Sequence, residues 1–333
     1  MIIVTGATGQ LGGAIVERLL ERMPTGQIDV SVRDPDKAGH LGARGVRVRR
    51  GDLGDPSALA YAFEGASQVL IVSGPADPAP HRGAIEAARA AGAGRILYTS
   101  HMGANRHSLF AATRAHAETE QDLRASGVPF TSLRDGFHAT SAIGLLRPAL
   151  ETGELVLPED GPVSWTAHED LAEAAAIALT EEGRMDGITP AITGPEALDF
   201  ADIAAIASEL TGRRITRVTV SDDEWKGTPH RAGHAGAVRE LRPGDLHRQP
   251  PRRVRRRRLG PQATARARAH PLPRRAGCQR APLSGTSGPR HGSMAHGLIA
   301  PWAGAVTRLG RGVRGCAGLS SYLCSTRWSS RPG

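Results

Sequence analysis

The sequence predicts an α/β fold, a doubly wound parallel sheet with helices on both faces. Three observations carry this. The chain opens on an apolar run, Met1 to Thr5, that meets glycines at once and then apolar residues at helical spacing. Short runs of strand type then alternate with helical patterns six times. Aromatic residues make up only 4% of the chain, so helix must pack on sheet through Val, Ile, Leu and Ala.

The first strand leads into Gly6-Ala7-Thr8-Gly9-Gln10-Leu11-Gly12, and Ala14, Ile15, Val16, Leu19 and Leu20 mark the buried face of the first helix. Gly6 permits a tight turn. Gly9 lets a pyrophosphate approach the backbone at the helix N-terminus, where free N–H groups and the helix dipole favour anions. Gly12 lets the helix pack close to the strand. The glycine spacing is G-x-x-G-x-x-G, and strand, turn and helix together describe a Rossmann-type dinucleotide site over Gly6 to Gly12.

The second strand, Ile28 to Val32, ends at Arg33. At this point of such a fold an acidic residue binds a ribose 2′-hydroxyl, whereas an arginine accommodates a 2′-phosphate. Arg33 therefore favours NADPH, and the adjacent Asp34 leaves NADH open. Lys37 either adds to that charge or is a solvated helix start. Val46 to Arg49 alternates as a third strand and is followed by Gly51-Asp52-Leu53, where Asp52 is placed to contact adenine or serves as a turn residue. A helix from Asp55-Pro56 reaches Phe63. Gln68 to Val72 is the fourth strand, and its end, Ser73-Gly74-Pro75, is small enough to run beside a nicotinamide ribose. A helix over His81 to Ala91, a fifth strand from Arg95 to Thr99 and a sixth from Phe130 to Leu133 complete the alternation. Beyond it come a helix from Leu171 to Leu179, a strand from Ile188 to Thr193, a helix from Phe200 to Leu210, a strand from Arg217 to Val220 and a helix beginning at Ser221.

The net charge of +9 joins two opposed parts: residues 1–226 carry −10 and residues 227–333 carry +19. All three cysteines, Cys278, Cys316 and Cys324, lie in the basic part. The cysteine-free first part argues against a disulfide framework and for a reducing compartment. No stretch of about 18 apolar residues exists to span a membrane, and the N-terminus lacks the pattern of a signal peptide. The expected location is cytoplasmic, with no resident metal and with a homodimer left open.

Thr5 to Gly12, Val32-Arg33-Asp34-Pro35, Gly51-Asp52, Tyr98-Thr99-Ser100, His116-Ala117-Glu118 and Leu133-Arg134-Asp135-Gly136 resemble, as a set, the NmrA-like atypical short-chain dehydrogenases. The subgroup they are most similar to is the bacterial NAD(P)H:quinone oxidoreductases of type 2. The resemblance covers residues 1–226. It implies hydride transfer from NADPH to a small quinone-like acceptor, or, in the manner of regulatory NmrA proteins, dinucleotide sensing without turnover. It adds Thr99, Ser100 and the Asp135-Gly136-Phe137-His138 stretch to the cofactor or substrate contacts. The subgroup usually has Asn where Asp135 stands and an aromatic pair where Phe137 and His138 stand. Asp135 thus either places a negative charge near the nicotinamide amide or is a turn residue. Arginine is common in the family where His168 stands, and Asp170 reads as a helix N-cap.

Ordinary members of the superfamily use Tyr-x-x-x-Lys on the helix after the fifth strand, where the phenol passes a proton. Here Ala112 falls at the tyrosine position and His116 at the lysine position. Carbonyl reduction of the usual kind is therefore disfavoured. A quinone needs less help, because its reduced oxygen is a stabilised phenolate that water protonates, and the cofactor supplies the chemistry. His116 is the one catalytic candidate, orienting the ribose or donating to a quinone oxygen, with a structural histidine as the alternative. Tyr61, Tyr98 and Tyr322 are the only tyrosines; none is expected to donate a proton, and Tyr98→Phe is expected to leave turnover within a few-fold.

The expected organisation is an NAD(P)-binding core over 1–136, a small substrate region over 137–226 and a basic tail over 227–333. The tail is rich in Gly, Pro and Arg, includes Arg252-Arg253-Val254-Arg255-Arg256-Arg257-Arg258, and keeps no helical or strand period. Nucleic-acid binding is the obvious reading of such a run, and disorder the plain one. A frameshift near the codon for Lys226 explains more. Back-translated and read one base later, the arginine run permits Ala-Glu-Phe-Ala-Ala-Val-Asp-Ser, which resembles the C-terminal helices of the same subgroup. The tail is accordingly expected to be unstructured, with no nucleic-acid partner.

Overall fold

The computed structural model describes residues 1–74 and 76–226; Pro75 and the basic tail lie outside the described residues. In chain order the elements are β1 (Ile2–Thr5), α1 (Gln10–Leu20), β2 (Ile28–Val32), α2 (Gly39–Gly42), β3 (Arg47–Arg50), α3 (Pro56–Ala62), β4 (Gln68–Ile71), α4 (Ala79–Ala90), β5 (Arg95–His101), α5 (Ala111–Ala125) and β6 (Phe130–Asp135). They continue as β7 (Phe137–His138), α6 (Ala139–Thr152), β8 (Glu154–Leu157), β9 (Trp165–Thr166), α7 (His168–Thr180), β10 (Gly187–Ile192), α8 (Phe200–Thr211), β11 (Thr216–Thr219) and α9 (Asp222–Lys226).

Seven strands form one wholly parallel sheet in the order β10-β6-β5-β4-β1-β2-β3. The order reverses between β1 and β4, and it is at such a switch point, outside the carboxyl ends of the strands, that α/β sheets bind ligands. Strand alternation supplies the two buried faces. Ile2, Val4, Leu70 and Leu97 join α1 and α7 in one core, while Ile3, Val69, Ile71, Ile96 and Tyr98 join α3, α4 and Leu123 of α5 in the other. Short aliphatic side chains fill both, as the scarcity of aromatics requires. At the outer strands the buried Asp29 carboxylate pairs with Arg49 at 2.6 Å, and Arg49 also donates to the Ala62 and Glu64 carbonyls at the end of α3.

The doubly wound sheet matches the sequence reading, with strand ends moved: β3 is one residue later, and β5 and β6 run two residues further, to His101 and Asp135. Two features of the region after residue 136 go beyond the sequence reading. First, α7 and β10 pack in the large core, so residues 137–226, expected as a small substrate region of the same domain, pass between that core and a smaller one twice. Second, α6 has no counterpart in the sequence reading, because Pro148 interrupts its pattern; Ala142, Leu146, Ala149 and Leu150 bury enough apolar surface to hold a helix around it, and Gly153 at φ 81° ends it. The remaining small unit packs α6, α8 and the parallel β8–β11 pair around Phe200, Trp165 and Trp225. Its helix α8 starts on a capping box between Asp199 and Asp202. Asp170 is not the N-cap of α7; Ala167 holds that position, and Asp170 lies in the first turn, where its charge suits the helix dipole.

Candidate active site

The site begins at the turn after β1. Gly6 has φ +64°, a conformation that glycine adopts without strain, and its carbonyl accepts the Gly9 N–H at 2.9 Å. Its own N–H donates to the Ser31 carbonyl at 3.1 Å, which ties the turn to β2. Gly9 is the N-cap of α1 and brings no side-chain cap, so the first N–H groups of the helix are left for a ligand. A Cβ on Gly12 would stand 2.3 Å from the Gly6 carbonyl oxygen. Gly6 thus makes the turn and Gly12 the close packing between turn and helix. At the neighbouring strand end Arg33 is exposed and has no ion pair among the described residues. Lys37 instead pairs with Asp34 at 3.4 Å, so its solvated helix-start reading holds. Asp52 is exposed and accepts the Gly54 N–H at 3.0 Å, which is a turn role, and Leu53 beside it packs partly into the core.

A cavity of about 340 Å³ lies at the carboxyl ends of the central strands. Of the residues singled out from sequence it is lined by Leu11, Ser73, Gly74, Thr99, Ser100, His116, Asp135, Gly136, Phe137 and His138. Gly6, Ala7, Thr8, Gly9, Gln10, Gly12, Arg33, Asp52 and Leu53 lie outside it, on the side of the glycine turn and the β2 and β3 ends. Six lining residues were not foreseen: Val72, His101, Phe110, Ser141, Leu145 and Trp165. His101 was missed because β5 was ended at Thr99; two further residues of alternation place it on the same face. Trp165 arrives through the short β7–β9 pairing that sets it opposite Phe137, a long-range contact with no local signal.

Hydrogen bonds hold the strand ends in place. Thr5 Oγ1 accepts the Val72 N–H at 2.9 Å, and Thr99 Oγ1 accepts the Ser73 N–H at 2.8 Å. Ser100 donates to the buried Glu120 at 2.9 Å, which also accepts from Arg134 Nη2 at 2.6 Å. Arg134 is thereby turned away from the cavity that its neighbour Asp135 lines.

The protonation of the histidines follows from a chain of donors. Thr119 Oγ1 donates to the Ala115 carbonyl at 3.0 Å, so it accepts from His81 Nδ1 at 3.2 Å. His81 Nε2 is then the acceptor of the Gly74 N–H at 3.4 Å. With His81 Nδ1 protonated, the buried Tyr98 hydroxyl sends its own proton to His116 Nδ1, at 2.7 Å. That makes His116 a neutral imidazole with its hydrogen on Nε2, which has no hydrogen-bond partner among the described residues. Burial, helped by His101, His81 and His138, pushes His116 down to about 3. Burial likewise lowers His101 to about 4, with help from His138, and His138 to about 4, with help from His168. His138 Nδ1 and His168 Nε2 share a hydrogen bond of 3.1 Å. Burial raises Tyr98 and lifts Asp135 well above the usual carboxylate range. At Asp135, where a negative charge or a turn role is expected, the cavity wall desolvates the carboxyl, and its Oδ1 has no hydrogen-bond partner among the described residues.

Tyr98 does not line the cavity. Its bond to His116 nevertheless raises the effect expected of Tyr98→Phe. Without the phenol the imidazole is free to take the other tautomer and present a lone pair instead of a donor. Loss of one buried hydrogen bond, about 1.5 kcal/mol, corresponds to a turnover loss of about tenfold. Nitrogen NMR of His116 should show Nε2–H in the parent chain and mixed tautomers in the variant; an unchanged spectrum and turnover would contradict the donor chain.

The family model described as NAD(P)H-binding matches residues 6–182. Quinone oxidoreductase 2 of Escherichia coli is 36% identical over 229 residues, 68% of this chain and 79% of the relative. Its structure complexed with NADPH superposes with a TM-score of 0.67, at 33% identity over 74% of this chain and 88% of the other. An NmrA-like family domain-containing oxidoreductase of Aspergillus flavus is 31% identical over 246 residues, 71% of this chain and 80% of the relative. The triphenylmethane reductase of Citrobacter sp. complexed with NADP(H) superposes with a TM-score of 0.66, at 36% identity over 72% of this chain and 87% of the other. Among the described residues no helix is long and apolar enough to cross a membrane.

Proposed function

The chain belongs to the NAD(P)H-binding family, among its NmrA-like oxidoreductases, and on that premise we propose that it transfers hydride from NADPH to a quinone. The observation that carries this is the cavity at the strand ends. It joins the dinucleotide turn to aromatic walls and to a neutral His116 that offers an N–H. Phe110 and Phe137 are near-parallel, 7° between planes at 6.4 Å between centroids, and Trp165 meets Phe137 edge-on. Such walls suit a flat, electron-poor ring.

The residues fit a dinucleotide. Glycine at 6, 9 and 12 leaves the backbone open where side chains would intrude, the α1 N-terminus takes the pyrophosphate, and the unpaired Arg33 takes a 2′-phosphate. Bound NADPH supplies the hydride. The protein's part is to fix geometry and charge: Thr99 and Ser73 hold the β4 and β5 ends together, and His116 Nε2–H donates to the acceptor oxygen as it gains charge. Escherichia coli quinone oxidoreductase 2 supports the quinone as acceptor, whereas the triphenylmethane reductase points to a larger, three-ring acceptor; the aromatic walls leave an aromatic ring system as the common feature. Steady-state oxidation of NADPH with a benzoquinone tests the proposal. Multiple turnovers are expected. Tight NADPH binding with no turnover would replace the enzyme reading by a sensor.

A further inference from the structure

Among the described residues, four titratable side chains line the cavity: His101, His116, His138 and Asp135. No lysine or arginine is among these described lining residues. The three imidazoles are neutral near pH 7, with no acidic proton to spare. His116 could release its Nε2 proton only by drawing another from Tyr98. Burial raises Tyr98, so that phenol is a poor source of the replacement.

Asp135 differs from all of them. It is only 4% exposed, makes no side-chain hydrogen bond among the described residues, and keeps Oδ1 walled off without a partner. Its register neighbours are His101 on β5 and Ile192 on β10, and neither brings a cation to it. His116 from α5 and His138 from β7 face the same cavity as neutral rings, while Arg134 is engaged by Glu120. A carboxylate in this setting would lose its solvation with nothing in return, so the neutral acid is the resting form.

We propose that Asp135 is the acid of the reaction: its carboxyl O–H gives the proton to the oxygen that becomes negative when the acceptor receives hydride. This rests on the quinone reading. The hydride carries two electrons to the acceptor; the Asp135 O–H bond breaks, an O–H bond forms on the reduced acceptor, and Asp135 is left as a carboxylate. It regains a proton from water as product leaves and the cavity opens to solvent. The chain thereby replaces the missing tyrosine with a carboxylic acid on the neighbouring strand end.

Infrared difference spectra of the full chain and of Asp135→Asn decide the resting state. A protonated carboxyl band at pH 7 that is absent from the variant is expected; an ionised Asp135 overturns the proposal whatever the acceptor. In NADPH oxidation with a benzoquinone, kcat of the parent chain should fall as pH rises through the raised pKa of Asp135, since the protonated form is the active one. Asp135→Asn keeps the shape and a donor but has no transferable proton, so kcat at saturating NADPH should drop by about 100-fold and lose that pH slope. A variant with parental turnover and pH slope overturns the proposal. If the parent chain reduces no quinone, the acceptor reading fails, and the infrared band alone then decides the state of Asp135.

Discussion

Gly12→Ala is expected to abolish tight dinucleotide binding and to destabilise the chain. The new methyl carbon would stand 2.3 Å from the Gly6 carbonyl oxygen and 2.7 Å from its carbon, both of them backbone atoms that no rotamer change can move aside. The start of α1 must therefore back away from the turn, which displaces the N–H groups meant for pyrophosphate and loosens Leu11, Ile15 and Leu19 in the core. Overpacking of this kind costs about 1–3 kcal/mol. NADPH titration and thermal unfolding check it: the dissociation constant should rise by at least about tenfold for each 1.4 kcal/mol lost, together with a lowered melting temperature. Gly13→Ala is the control, because its Cβ would meet only the Ala7 carbonyl oxygen at 3.2 Å; equal effects from the two would contradict the account of Gly12.

Arg33→Ala is expected to raise the NADPH dissociation constant by about 10- to 100-fold, from the loss of one or two charge-assisted hydrogen bonds to phosphate. NADH binding should change little, because it has no 2′-phosphate to lose. The Arg33 side chain is exposed and has no ion pair among the described residues, so its removal leaves no orphaned partner there and their fold should be unaffected. Equal losses for the two dinucleotides would mean that Arg33 does not read the phosphate.

The parts of this site that follow from local pattern were legible in the sequence. The glycine turn, the arginine at the end of β2 and the small loop after β4 sit where strand-turn-helix logic puts them, because each depends on residues adjacent in the chain. Ten of the named residues meet around one cavity for the same reason, since parallel strands deliver their ends to one edge of the sheet. Long-range features were not legible. Trp165 reaches the cavity only through its pairing with β7, and α6 persists around Pro148 only because its apolar face is covered. The setting of Asp135 depends on what surrounds it in three dimensions: burial raises its carboxyl above the usual carboxylate range, and no local pattern in the sequence announces that. Tyr98 shows the same limit: its place in a strand concealed a bond to His116, eighteen residues away on α5.

A crystal structure of this chain with NADPH tests the site most directly. The 2′-phosphate is predicted on Arg33, the pyrophosphate at the Gly9 end of α1, and the nicotinamide in the cavity beside His116 and Asp135, with room left against Phe110, Phe137 and Trp165 for a flat acceptor. A nicotinamide bound away from His116 and Asp135, or one that fills the cavity and leaves no place for an acceptor, would contradict it.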